Sequence, residues 1–272
     1  MTEKSQRFTA PSLDGVSLRA IHWGDPGRAP LVLLHGGGAN AHWWDHLAPD
    51  LARHFRVVAL EFRGHGASDH PESLKVGAFS DDLDALLEHI GVPDAILVGH
   101  SMGGHIALER AARARSCRGL VLIDVAWGTP PRARRVMRRV LARRPRTYAT
   151  RAEAVRRFAF VPPLLRASDA LRDAIAQHSV CESPEGRFGY RFDPRWFGLP
   201  SRPAPPLSDV RCPTLIVRGT ESPVLMPDSA RALAAGLPNA RLVEIEGAGH
   251  HVHLDRPEAV LAALREFLVP LR

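Results

Sequence analysis

One serine in this chain stands where an enzyme would place a nucleophile. Residues Gly99-His100-Ser101-Met102-Gly103-Gly104 set glycines two positions to either side of Ser101, directly behind the apolar run Ala95-Ile96-Leu97-Val98. A side chain at position 99 or 103 would crowd a sharply bent backbone. The G-x-S-x-G pattern therefore reads as a strand-to-helix turn that holds a serine hydroxyl exposed. Such a hydroxyl needs a neighbouring base to become a nucleophile at neutral pH. Among 14 histidines, His250 in Glu246-Gly247-Ala248-Gly249-His250 has the right place, after the last predicted strand and through a glycine-containing loop. His251 and His253 are substitutes for that role, and His100 is expected to pack beneath the turn.

An imidazole that accepts a proton needs a carboxylate to hold its tautomer and stabilise its charged form. Two acids satisfy the chain order serine, acid, histidine. Asp124 ends the predicted strand Gly119–Ile123, and Glu221 follows the predicted strand Thr214–Val217. Asp228, further along, is expected to cap the next helix. Charge developing on a carbonyl oxygen calls for two preorganised N–H donors. Met102, directly after the serine, offers one, and Gly37 in His35-Gly36-Gly37-Gly38 offers the other. Gly36, Trp43, Trp127, Trp196 and Phe197 are candidates to line a substrate pocket, although Trp43 and its neighbour Trp44 read equally well as aromatic core anchors.

These residues need a scaffold that brings distant loops to one edge. Short apolar runs alternate with helical patterns, which predicts a mostly parallel sheet with helices on both faces. An opening hairpin, Arg7–Ala10 and Ser17–Trp23, precedes strands at Leu31–Leu34, Arg56–Leu60, Ala95–Val98, Gly119–Ile123, Thr214–Val217 and Arg241–Ile245, eight in all. Helical patterns include Phe79–Ile90 and Pro257–Phe267. From Trp127 to Ser208 the alternation stops, and helix-like pieces are broken by prolines such as Pro162-Pro163 and Pro203-Ala204-Pro205-Pro206. The expected organisation is a core of residues 1–126 and 209–272 with a helical cap at 127–208.

The 272 residues carry a net charge of +7, unevenly spread. Between Pro131 and Arg202, 17 arginines face six acids, so that stretch holds about +11 and the rest about −4. With only two lysines in the chain, arginine is the default cation, and a solvated basic face is the first reading; an anionic substrate is the second. No nucleic-acid motif accompanies the basic charge, so no nucleic-acid partner is expected. No apolar run of 18 residues is present, the opening residues lack the apolar segment of a secretory signal, so none is expected, and the three cysteines (Cys117, Cys181, Cys212) are scattered without metal-ligand spacing. A cytoplasmic protein without a membrane partner, metal or organic cofactor is expected; the oligomeric state is not legible.

Taken together, the segments His35–Gly38, Phe62-Arg63-Gly64-His65-Gly66-Ala67-Ser68, Gly99–Gly104 and Gly247–His250 resemble the α/β-hydrolase fold superfamily, in its lid-bearing, esterase-like branch. The resemblance spans nearly the whole chain and implies an α/β-hydrolase fold, with an eight-stranded, mostly parallel sheet flanked by helices and a helical cap insertion. Two positions depart from the family pattern. Glu61 stands where aspartate is usual, which looks structurally mild. Many members place the acid three residues beyond the glycine that ends the seventh strand, and here that residue is Ser222. The Arg-Gly-x-x-Ser pattern resembles a subset with the acid after the sixth strand, which ranks Asp124 above Glu221.

The resemblance implies a serine hydrolase acting on a small carboxylic ester, lactone or thioester. The alternative is a carbon–carbon bond hydrolase or cofactor-free oxygenase or lyase using the same residues, and a further reading is a non-catalytic ligand-binding member. Serine at position 101 argues against the dehalogenase and epoxide-hydrolase chemistry of the fold, in which an aspartate attacks.

Overall fold

The computed structural model describes residues 6–11, 14–73, 75–113, 117–128, 139, 146–198 and 203–272. Eight strands form one sheet: β1 (Gln6–Pro11), β2 (Ser17–Trp23), β3 (Pro30–Leu34), β4 (Arg56–Glu61), β5 (Ile96–His100), β6 (Gly119–Ile123), β9 (Thr214–Gly219) and β10 (Ala240–Ile245). Their spatial order is β1-β2-β4-β3-β5-β6-β9-β10. The first two strands pair antiparallel, β2 joins β4 antiparallel, and every later neighbour is parallel. The eight expected strands are all present, with ends shifted by two residues or fewer.

Alternation along the central strands sends side chains to two buried faces. Val32, Leu34, Leu97, Leu120, Leu122 and Ile216 pack on one side, beneath α2 (Ala78–His89), α3 (Met102–Arg113) and α6 (Pro227–Gly236). Leu31, Leu33, Ile96, Val98, Val121, Ile123, Leu215 and Val217 pack on the other, with α1 (Ala48–Leu51), Trp44 and α8 (Pro257–Leu268). Asp228 lies in the first turn of α6 and not at its cap, which is Met226; Pro227 pre-sets the helical start instead. Among the described residues, no helix is long and apolar enough to cross a membrane.

Between β6 and β9 the described residues contain α4 (Arg151–Arg156), α5 (Asp169–Ser179) and, against the expectation of helix alone, an antiparallel pair, β7 (Val180–Glu182) with β8 (Phe188–Tyr190). Each strand has only three residues and little burial, so neither leaves an alternating pattern to read. The arginine-rich run 131–145, apart from Arg139, lies outside the described residues. The insertion is stitched to the turn after β4: Gly66 N–H donates to Arg191 O (2.8 Å) and Asp193 N–H to Gly64 O (2.7 Å). That turn is itself fixed by buried Arg63, whose guanidinium grips Asp82 on α2 and Asp14. Glu61 accepts from Ala41 N–H and Ala67 N–H, so its carboxylate holds two loops together and the change from aspartate is accommodated.

Several histidines are built into this framework as neutral rings. Phe62 N–H donates to His35 Nε2 (3.2 Å), which leaves His35 Nδ1–H to donate to Gly36 O (2.7 Å). Burial, reinforced by nearby His65, lowers His35 to about 3, and burial lowers His65 to about 4. Burial and neighbouring imidazoles lower His251 to about 3 and hold His100 and His253 well below the ordinary value. Because the unfolded chain takes up these protons near pH 6.5 and the folded chain does not, stability must fall as pH drops below that value. Each such ring contributes a slope of about 1.4 kcal/mol per pH unit once its unfolded form is charged. Urea midpoints measured from pH 7.5 to 5 should therefore fall steeply; a flat profile would mean that these rings are not buried neutral.

Candidate active site

Ser101 occupies the turn between β5 and α3 with a left-handed backbone (φ 50°), a conformation that L residues other than glycine rarely adopt. The flanking glycines make it possible. A Cβ on Gly99 would lie 2.4 Å from Gly103 O, and one on Gly103 would lie 2.4 Å from Leu34 O. Helix and strand thus touch backbone to backbone on both sides of the serine. The Ser101 N–H donates to Ile123 O (3.0 Å), which ties the turn to the end of β6.

Directly after β6 comes a second left-handed residue, Asp124 (φ 47°), fully buried. Its N–H donates to Val217 O on β9 (2.8 Å). Its carboxylate collects three donors: His250 Nδ1–H (2.8 Å) and the Ser222 hydroxyl (2.5 Å) at Oδ1, and Gly219 N–H (3.1 Å) at Oδ2. A buried carboxylate is tolerable only when paired and hydrogen-bonded in this way. With Nδ1–H committed to Asp124, His250 presents an unprotonated Nε2 to the Ser101 hydroxyl at 3.1 Å. Three loops, after β5, β6 and β10, therefore deliver one continuous hydrogen-bonded line.

The other candidates stand elsewhere. Glu221 is about half exposed and pairs with Arg166 (2.9 Å), so of the two acids weighed, only Asp124 reaches the imidazole. His251 donates through Nε2 to Pro162 O (3.0 Å), and His253 is stacked on Trp44 with ring centroids 4.7 Å apart. Neither is the ring at Ser101. His100 donates through Nε2 to the carbonyl of His250 (3.1 Å) and lies against Gly36, beneath the turn. Ser222 was marked in the sequence only by what it replaces; its service to Asp124 is a property of the fold.

The glycine loop after β3 runs alongside the N-terminus of α3. A Cβ on Gly37 would fall 2.6 Å from the Phe197 ring and 3.7 Å from Met102 Sδ, and one on Gly38 would meet the Phe192 ring at 3.9 Å. Gly36 O is held by His35 Nδ1–H and Ala39 N–H, so the planar trans peptide directs the Gly37 N–H the opposite way. The Met102 N–H opens α3 and has no intrahelical acceptor. Phe197 thus lies at the glycine loop. Trp196 does not: its ring packs on Gly64 and on Phe79 (4.4 Å), where it anchors the insertion. Trp43 is buried against Phe160 and His251, in the seam between core and insertion, and Trp44 is fully buried in the core. Trp127 is half-buried and packs against the hydrophobic core. The aromatic pattern could not tell a pocket wall from an anchor.

Five of the described insertion arginines are engaged by the protein: Arg151 with Gln177, Arg166 with Glu221, Arg187 with Thr147, Arg191 with Val180 O and Arg195 with Asp193. Two clusters of described residues have metal-ligand types close together, His100–His250–His251 and His42–Asp45–His178. In the first, His250 is engaged at both nitrogens and His100 Nδ1 faces the Gly36 backbone. In the second, His42 and His178 stack nearly parallel at 3.8 Å, so their in-plane lone pairs do not converge.

A family model described as the alpha/beta hydrolase fold matches residues 29–257. The chain belongs to the α/β-hydrolase family. It is 30% identical over 259 residues to the 2-(acetamidomethylene)succinate hydrolase of Mesorhizobium japonicum, covering 90% of each chain. It is 28% identical to epoxide hydrolase A of Mycobacterium tuberculosis, covering 95% of this chain and 96% of that one. Among solved structures, a thermophilic esterase from Thermogutta terrifontis superposes with a TM-score of 0.74 at 26% identity, covering 98% of this chain and 99% of the esterase. The relatives support a hydrolase in the broad sense.

The backbone contacts at the serine turn make a direct prediction. Gly103→Ala should lower stability by about 1–3 kcal/mol or more, since its Cβ would meet the Leu34 carbonyl. Gly27→Ala, whose nearest neighbour would be 3.4 Å away, should change little. Equal denaturation midpoints for the two variants would contradict the close approach.

Proposed function

We propose that the protein is a serine hydrolase that cleaves a small carboxylic ester, lactone or thioester through an acyl-enzyme on Ser101. The observation that carries this reading is the His250 ring, held between Asp124 Oδ1 at 2.8 Å and the Ser101 hydroxyl at 3.1 Å. In this reading Ser101 Oγ attacks the carbonyl carbon while its proton passes to His250 Nε2. Asp124 stabilises the imidazolium without taking its proton. The N–H groups of Gly37 and Met102 face the developing oxyanion, helped by the positive end of the α3 dipole. The tetrahedral intermediate collapses, His250 returns the proton to the leaving oxygen or sulfur, and water repeats the cycle to release the acid.

A serine at the attacking position separates this site from aspartate-dependent epoxide opening, despite the epoxide hydrolase among its relatives. Phe197, Phe192 and Met102 beside the glycine loop favour an apolar acyl group. The alternative use of the same residues, with His250 as base towards a carbon acid or hydroxyl, needs no acyl-serine.

Two experiments divide these readings. A fluorophosphonate probe should label wild-type protein at Ser101, and p-nitrophenyl esters should turn over; absence of both would favour carbon-acid chemistry. With a turned-over ester, Asp124→Asn should lower kcat about 10⁴-fold. Ser222→Ala should lower it about tenfold, in line with the loss of one hydrogen bond to a charged group. Glu221→Gln should stay within about threefold of wild type. A larger loss in Glu221→Gln than in Asp124→Asn would overturn the assignment of the acid.

A further inference from the structure

The turn that carries His250 is fastened on both sides to one segment of the insertion. His250 lies between β10 and the short helix α7 (Val252–Asp255). The carboxylate of Asp255, almost fully buried, folds back over that turn. Its Oδ2 accepts from Gly249 N–H (2.9 Å), the residue before His250. Its Oδ1 accepts from Leu165 N–H and Arg166 N–H, each at 2.8 Å, about 90 residues away in the insertion. On the other side of His250, His251 Nε2–H donates to Pro162 O (3.0 Å). Packing follows the hydrogen bonds, since a Cβ on Gly249 would lie 3.0 Å from Leu165 Cδ1 and 3.2 Å from Asp255 Oδ2.

We propose that Asp255 is a positioning residue that couples docking of the 162–166 segment to the placement of His250. This rests on the reading of His250 as the base at Ser101. If the segment leaves, two of the three N–H donors leave with it. The carboxylate is then left in a buried site with Gly249 alone, and its hydration would draw it out and release that N–H. The cost works in both directions: a docked segment holds the turn, and a correctly placed turn holds the segment. The Arg166–Glu221 ion pair on the outside of the same segment is exposed on both partners and adds little.

Asp255→Asn separates the links, because one amide oxygen can still accept from Leu165 and Arg166 while the amide –NH2 then faces the Gly249 N–H, donor against donor. Its fluorophosphonate labelling rate, normalised to folded protein, should fall at least tenfold with probe affinity unchanged. Hydrogen exchange at Gly249 should quicken while Leu165 and Arg166 stay protected. Arg166→Ala, which keeps its backbone N–H, should label within twofold of wild type. A folded Asp255→Asn that labels at the wild-type rate would overturn the proposal. In wild-type protein, and so independently of any variant, the amides of Leu165, Arg166 and Gly249 should exchange at a common rate; rates differing more than tenfold would equally overturn it. If wild-type protein takes no label, the hydrolase reading fails, and the exchange measurements still decide whether the clasp exists.

Discussion

A carboxylate with no access to solvent governs this molecule. Asp124 is buried at the end of β6, in a left-handed conformation, and must satisfy its charge from protein donors alone. Those donors come from Gly219 at the end of β9, from Ser222 just beyond it, and from the ring of His250 after β10. The registers of β5, β6, β9 and β10 must all be right for them to meet, because parallel strands place their carboxyl ends, and the loops that follow, along one edge. The same interaction leaves one nitrogen of His250 facing Ser101. The imidazole nitrogen facing the serine hydroxyl is thus the visible end of a buried charge balance.

Ser101 adds a second constraint of a different kind. Its left-handed backbone is held by close contacts that only glycine permits at positions 99 and 103. Neutral imidazoles take part in the surrounding framework. His35 orients the glycine loop and His100 supports the carbonyl of His250, each with its tautomer fixed by a hydrogen bond. In this setting burial of histidine serves geometry, and its cost is sensitivity to acid.

Much of this was legible from residues alone. Buried parallel strands announce themselves as short apolar runs, and glycine spacing marked both the serine turn and the glycine loop after β3. The acid was legible only as a choice between Asp124 and Glu221, since chain order suits both; it takes the third dimension to see that Glu221 turns outward to Arg166. Trp196 and Phe197 are adjacent in sequence yet do different work, one against Gly64 and the other at Gly37, because a 3-10 turn points consecutive side chains apart. The β7–β8 pair was hidden by its shortness. Asp255 was hidden for another reason: it joins its own turn to a segment 90 residues away, and no local pattern records that meeting.

The most direct test is to read the protonation of the His250 ring. In 15N-labelled protein at neutral pH, with His250→Gln to identify the signal, the account predicts a proton on Nδ1, shifted far downfield by its hydrogen bond to Asp124, and a bare Nε2. That downfield proton should vanish in Asp124→Asn. A ring protonated at Nε2 in the wild type, or a signal indifferent to Asp124, would contradict the account.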